Sequence, residues 1–408
     1  CDGAAVRAAL ETAPANRATG SPTIKSHLPA LTGLRFFLAV WVVVHHLTGR
    51  GMMLDPWVRS LPEAVQSLVR GGYLAVGTFF VLSGFVLARS YSARPWNRKN
   101  LVRYAASRFA RIYPVYILSL LVVSPFIIAD KLPLFGAKGG LLANYLLLLQ
   151  GWTGTLPVNW NTPAWSLSCE FFFYLLFPLA AILLRRLSGF SALMLAAATC
   201  LIPTVLRQLG VPDSWKPVLH FSDFVMGILV ARAFDFLLSR RRSPVGRGHW
   251  FYLPAIAIGG LLTANPQVLP AYISLNSALR PMNALLLLGL ALEGGVLERA
   301  LSTPRSVYLG KASYSLYILH IPVLWWYKGL VFHLYGLVPG TLLAFVFVAI
   351  VVAISAAVFH YFEEPANLYL RDRLSGRPAQ ARFPIPGALV RCARRLKGGF
   401  ANGLTAVE

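Results

Sequence analysis

The chain has 408 residues, of which 56% are hydrophobic and only 13% charged, and its formal net charge is +23. Soluble domains carry about 25% charged residues, so a chain this long and this poor in charge cannot cover a water-facing surface. The positive charges lie in joints between long apolar runs, which fits a basic membrane protein and argues against a nucleic-acid partner.

Residues 1–27 lack an apolar signal-peptide core and read as a disordered, mildly basic leader. From residue 28 the chain alternates apolar runs with polar joints. Runs such as 340–362 have the length and purity of a bilayer crossing, about 20 residues. About ten spans are predicted, near 28–47, 72–88, 112–129, 163–184, 190–206, 220–237, 250–264, 281–297, 313–327 and 340–362. The stretch 141–151 is apolar but too short to cross, and is expected to be re-entrant or interfacial.

With the N-terminus inside, the inner segments hold 27 Lys and Arg and the outer segments 9, with Arg35 and Arg232 inside spans. That bias predicts both termini in the cytoplasm. Counting 141–151 as a span would flip everything downstream and turn the arginine triplet at 240–242 outward. The expected organisation is the leader, a transmembrane domain over 28–365 and a basic cytoplasmic tail over 366–408. Within the tail, 387–400 reads either as a short amphipathic helix on anionic lipid or as a disordered stop-transfer segment. The expected class is therefore an all-α integral membrane protein. Its four cysteines, Cys1, Cys169, Cys200 and Cys392, have no zinc-like or redox spacing, and no metal site is expected.

Ionisable groups inside a span are expensive and mark function by default. The first span carries Arg35, His45 and His46. Arg35 and His46 are eleven residues apart, so they project from one helix face within about 20° and about 16 Å apart along the axis. They are either a working pair or a snorkelling arginine and a packed polar residue. In the fourth span Thr162 and Pro163 suit a helix start, and Glu170 sits about two turns in. A buried carboxylate needs a partner or a proton. Glu170 and His46 share the outer half of the membrane in this topology. They fit a general-base pair, with the carboxylate fixing the imidazole tautomer, or a structural interhelical hydrogen bond.

The joint 89–111 holds seven positive charges and no acids. Arg108 and Arg111, three apart, share a helix face and suit a phosphate clamp, although charge that only sets topology is the competing reading. In GTFFVLSGF, residues 77–85, Ser83 and Gly84 either let helices approach closely or leave room for a slender ligand arm. In SYSLYILH, residues 313–320, Ser313, Tyr314, Tyr317 and His320 share one span. Asp223 and Arg232 lie on opposite faces and are no obvious pair.

These motifs resemble those of the membrane-bound acyltransferase-3 family. LTGLRFFLAVWVVVHH is similar to that family's first helix, with Arg, ten residues and His, and GTFFVLSGF, RFARIYP, WSLSCEFFFY and SYSLYILHIP follow in the family's order. The resemblance runs from about residue 28 to 365 and closes at Phe362-Glu363-Glu364-Pro365. It departs at Thr32, where many members have Asp, and at Ser315, where Gly is common.

The resemblance implies a bacterial plasma-membrane O-acyltransferase, most often one that O-acetylates exopolysaccharide, lipopolysaccharide or a macrolide sugar. It implies His46 as the catalytic group, Arg35 as its companion, and Arg108 and Arg111 as the pair that handles acyl-CoA. Together with the residue reading, it sets an expected site. Acetyl-CoA is the donor, bound by Arg35, Arg108 and Arg111. His46 is the base, oriented by Glu170. Ser83, Trp165, Ser166, Ser313 and Tyr314 are candidate substrate or oxyanion contacts. A glycan or glycolipid is the expected acceptor, with membrane lipids and polysaccharide-assembly proteins as further partners. The rivals are a transporter or glycan flippase, which needs no acyl-CoA site, and a structural membrane subunit, which leaves Arg35, His46 and Glu170 without a role.

Overall fold

The computed structural model describes residues 28–376 apart from 92–93, 131–137, 154–159, 241–242, 271–272 and 336–339. The leader, the 387–400 segment and Arg241 of the topology argument therefore lie outside the described residues. Those described are helical, with no strand among them. Six helices are long and apolar enough to cross a membrane: Pro29–Leu47, Glu63–Tyr91, Arg98–Ile128, Thr162–Arg185, Gly189–Gln208 and Thr341–Leu374. Each coincides with an expected span. The other four expected spans are also helical but are not among the six. Two of them have only 16 and 17 residues. The stretch around 141–151 is helical over Lys138–Leu146, nine residues, and is too short to cross.

Helix α1 (Pro29–Leu47) starts at a proline, whose fixed φ suits the first turn. Helices α2 (Asp55–Arg59) and α3 (Glu63–Arg70) lead through a 3₁₀ turn to α4 (Ala75–Tyr91). Helix α5 (Arg98–Asp130) makes Arg108 and Arg111 helical, and α6 (Lys138–Leu146) follows. Next come α7 (Trp165–Arg185), α8 (Gly189–Gln208), α9 (Lys216–Ser239), α10 (His249–Ala264) and α11 (Leu275–Ala291). Helix α12 (Val296–Leu301) precedes α13 (Pro304–Tyr335) and α14 (Thr341–Val358). A π turn over Phe359–Glu363 then joins α14 to α15 (Glu364–Leu374). The helical chain thus runs through the expected tail boundary at 365, and α15 packs on α5.

Small residues decide which helices touch. Between α4 and α9, a Cβ at Gly84 would lie 2.1 Å from the Phe224 carbonyl oxygen, and one at Gly227 would lie 1.9 Å from that of Val81. Gly84 therefore serves backbone approach, the first of the two readings of its segment. Helix α1 is gripped in the same way. A Cβ at Gly33 would meet the Leu301 oxygen at 2.0 Å, and one at Gly310 the Thr32 oxygen at 1.9 Å. Through the second of these approaches α1 lies along α13.

Candidate active site

The predicted arginines converge on one cavity of about 110 Å³. Arg35 comes from α1, and Arg108 and Arg111 from α5, where their spacing of three turns both guanidiniums to one side. Glu170 of α7 and Ser83 of α4 complete its polar wall, and Val76, Phe79 and Phe80 line an apolar one. Glu170 accepts hydrogen bonds from Ser83 (3.2 Å) and Tyr174 (2.7 Å) on the same oxygen, Oε1. The Arg108 guanidinium lies over the Tyr174 ring at 5.4 Å, and that of Arg111 over Tyr314 at 4.8 Å.

The candidate hydroxyls Ser166, Ser313 and Tyr314 all line this cavity. Tyr314 donates to the Ile112 carbonyl oxygen at 2.6 Å, and the buried Ser313 hydroxyl has no hydrogen-bond partner among the described residues. One turn further along α13, Tyr317 meets the Ser166 hydroxyl at 2.8 Å. Trp165 does not line the cavity. Its ring carries the Lys216 ammonium at 4.5 Å and neighbours His220.

A second cavity of about 340 Å³ adjoins the first, because Arg35 and Arg111 line both. Lys311, Thr32, Glu363 and Asn367 form part of its wall. Arg111 is paired with Glu363, a carboxylate 2% exposed that also accepts from Ser315 at 2.6 Å. Arg35 has no such partner: its buried Nε is unsatisfied, and no hydrogen bond among the described residues engages the side chain. Arg35 and Arg111 thus share the junction of the cavities, with Glu170 in the wall of the first and Glu363, already bonded to Arg111, in that of the second. The guanidinium of Arg35, free of hydrogen bonds among the described residues, suits an anionic ligand.

His46 lines neither cavity. It also does not meet Glu170, so the expected His46–Glu170 hydrogen bond is corrected. The reason is lateral. The expected topology places both groups at similar depth, but neither it nor helical periodicity says which helices are neighbours. The carboxylate is satisfied by α4 and by its own helix, whereas α1 lies along α13, which brings His320 to His46. His46 Nδ1 stands 3.0 Å from the Val42 carbonyl oxygen and 3.3 Å from His320 Nε2. The adjacent His45 is held elsewhere, with Nδ1 at 2.6 Å from the Arg70 carbonyl oxygen. Tyr317 links the histidine pair to the cavity: it lines the cavity wall, and its carbonyl oxygen meets His320 Nδ1 at 2.7 Å.

Sequence reasoning assigned no role to Tyr174, Lys311, Glu363 or His320. The i,i+4 spacing of Glu170 and Tyr174 on one helix face was a usable signal for the first. A further buried charge cluster stands apart. Asp223 bonds Arg280 Nε at 2.5 Å and His220 Nδ1 at 2.9 Å, while Arg280 also reaches the Thr199 carbonyl. The expected span over 281–297 leaves Arg280 just outside it, among the outer segments. The helix instead starts at Leu275, capped by the Ser274 hydroxyl, and carries Pro281 inside it. Arg232, as expected, leaves Asp223 alone and donates to the Leu187 carbonyl oxygen at 2.8 Å. Among the described residues no group of three or more His, Cys, Asp or Glu is placed to hold a metal ion.

A helical membrane protein with arginines around two adjoining cavities and a histidine pair beside them is the class these features define. The chain belongs to the acyltransferase-3 family, whose model, described as an acyltransferase domain, matches residues 28–360. It is similar to acyltransferase MdmB of Streptomyces mycarofaciens, 33% identical over 327 residues that cover 73% of this chain and 79% of that protein. It is also similar to O-acetyltransferase OatA of Staphylococcus aureus, 27% identical over 164 residues, 38% of this chain and 24% of the relative. The peptidoglycan O-acetyltransferase OatA of Listeria monocytogenes is 25% identical over 167 residues, with the same two shares, 38% and 24%. The chain thus matches about a quarter of each OatA protein. No solved structure matches it.

Proposed function

We propose that the protein is an integral-membrane O-acyltransferase of the bacterial plasma membrane. It moves an acyl group, acetyl first of all, from acyl-CoA to a hydroxyl of a surface glycan or its lipid-linked precursor. The observation that carries this reading is the pair of adjoining cavities that share Arg35 and Arg111. In the ten-span topology with cytoplasmic termini, the larger cavity opens on the cytoplasmic side. Lys311, Arg35 and Arg111 there suit the phosphates of a nucleotide-bearing donor, and Arg108 continues the positive wall inward. The narrower apolar cavity suits the donor's slender arm, with Ser83, Ser313 and Tyr314 along it. The name of MdmB supports acyl transfer, and that of OatA supports oxygen as the acceptor atom.

His46 Nε2 removes the proton of the acceptor hydroxyl as that oxygen attacks the thioester carbonyl carbon. The C–S bond breaks, and His46 returns the proton to the departing thiolate. Ser166 and Tyr317, whose hydroxyls meet each other and the Pro163 carbonyl oxygen, turn a proton from that carbonyl toward the developing oxyanion. Trp165, at the outer end of α7, supports the acceptor. Glu170 balances the three arginines of the cavity, and its hydrogen bonds go to Ser83 and Tyr174 rather than to His46.

The test is acyl-CoA consumption and glycan O-acylation in membranes bearing wild type or His46→Ala at matched expression. Transfer by the wild type and a loss of roughly a thousandfold in the variant are expected. Normal transfer by the variant would make His46 structural. No consumption of acyl-CoA by either protein, with a broad acceptor extract, would favour a transporter.

A further inference from the structure

His46 has a neighbour that the acyl-transfer scheme does not use. His320 is fully buried in α13, at 0% exposure, and its Nδ1 meets the Tyr317 carbonyl oxygen at 2.7 Å. A carbonyl oxygen only accepts, so Nδ1 of His320 carries the proton and Nε2 presents a lone pair. That lone pair faces His46 Nδ1 at 3.3 Å, and the other neighbour of His46 Nδ1 is the Val42 carbonyl oxygen at 3.0 Å. Both partners of His46 Nδ1 are acceptors. This nitrogen is therefore N–H, and the lone pair of His46 falls on Nε2. No hydrogen bond among the described residues engages Nε2, and His46 itself is half-buried rather than sealed.

We propose that His320 is the positioning residue for His46, an inference that rests on the reading of His46 as the general base. Its Nε2 shares the His46 Nδ1–H with the Val42 carbonyl oxygen: the carbonyl holds the N–H tautomer within α1, and His320 ties the ring to α13, leaving Nε2 of His46 to face the acceptor hydroxyl. When His46 Nε2 gains the hydroxyl proton, the same contact becomes a charge-assisted hydrogen bond from imidazolium to a neutral acceptor, and strengthens. The proton leaves again from His46 Nε2 to the thiolate. His320 keeps its own proton on Nδ1 throughout, held by the Tyr317 carbonyl. This is the orienting role that a carboxylate plays in many His-based sites, filled here by a second, neutral imidazole. A neutral orienter leaves no uncompensated charge in the bundle between turnovers, whereas a carboxylate would.

The experiment compares wild type, His46→Ala, His320→Phe and His320→Gln in membranes at matched expression, reading kcat and the KM for acyl-CoA. Phe keeps the bulk and removes the acceptor. Gln keeps an acceptor oxygen within reach of the Nε2 position. His320→Phe is expected to lower kcat by about a hundredfold with KM within about twofold, because a misaimed base costs the transition state and not donor binding. His320→Gln is expected to recover at least about tenfold of that loss. His320→Leu replaces the Phe variant, under the same criteria, where Phe does not accumulate. An active wild type with kcat unchanged in the acceptor-free variant, or equal losses in Gln and Phe, overturns the His320 assignment alone. A wild type that transfers no acyl group overturns the enzyme reading and this inference with it.

Discussion

Arg280 and Arg35 both lie inside the helical bundle, and the fold treats them in opposite ways. Arg280, 1% exposed, is bonded to the equally buried Asp223 and to the Thr199 carbonyl, and Asp223 in turn holds His220. Nothing in that knot is left over for a ligand. Arg35 stands at the junction of two cavities with its buried Nε unsatisfied. Glu170 in the same wall offsets its charge, but a buried donor left without a hydrogen-bond acceptor is unfavourable, and a site that tolerates one is prepared for an acceptor that comes from outside. The difference teaches that a charge within a membrane span is only half a signal. The other half is whether the fold already satisfies it.

The largest effect should come from the knot. Arg280→Leu leaves Asp223 buried without its cation and should cost about 3–5 kcal/mol, seen as a lower unfolding temperature in detergent. Replacing both Asp223 and Arg280 by Leu should recover most of that loss. A single variant as stable as wild type would break the comparison. Arg35→Gln should do the reverse. Its unfolding temperature should hold while the KM for acyl-CoA rises roughly tenfold or more, the worth of one charge-assisted hydrogen bond. Arg108→Ala should raise KM by only about threefold, because the guanidinium is already engaged over an aromatic face. Unchanged acyl-CoA affinity in the double variant Arg108→Ala, Arg111→Ala would remove both from donor binding.

The smallest effect lies outside the membrane. The Arg59 hydrogen bond, followed by the Gly51 backbone N–H, holds the Asp55 carboxyl below its usual range. A depressed folded value means that the stabilisation is present above the unfolded value of about 4 and is lost as pH falls through the folded one. Backbone exchange in 48–70 should therefore quicken only in strong acid, and less so in high salt.

The axial order of this molecule was legible in its sequence. Apolar run length gave the six clear spans. The eleven-residue interval put Arg35 and His46 on one helix face, and the three-residue interval aimed Arg108 and Arg111 at one cavity. Lateral order was not legible. Helical periodicity says which way a side chain points on its own helix but not which helix waits there, so His46 was given Glu170 in place of His320. Glu363 and Arg111 are 252 residues apart and pair across α5 and the π turn, a distance that no local pattern spans. Arg280 lies outside the expected span over 281–297 for a different reason: apolar run length marks the apolar part of a helix, whereas this helix begins six residues earlier, at the Ser274 cap.

The glycine approaches that grip α1 at Gly33 and Gly310 give that helix the character of a ruler. Because neighbouring backbones press against it with no side chain between them, it cannot slide or roll to adjust. The interval between Arg35 and His46 is then set by chain geometry alone, about 16 Å. A single residue inserted anywhere between them would swing His46 by about 100° away from the face it shares with Arg35. In this stretch substitution is negotiable and length is not, so sequences of this architecture can change their letters between the arginine and the histidine but not their count.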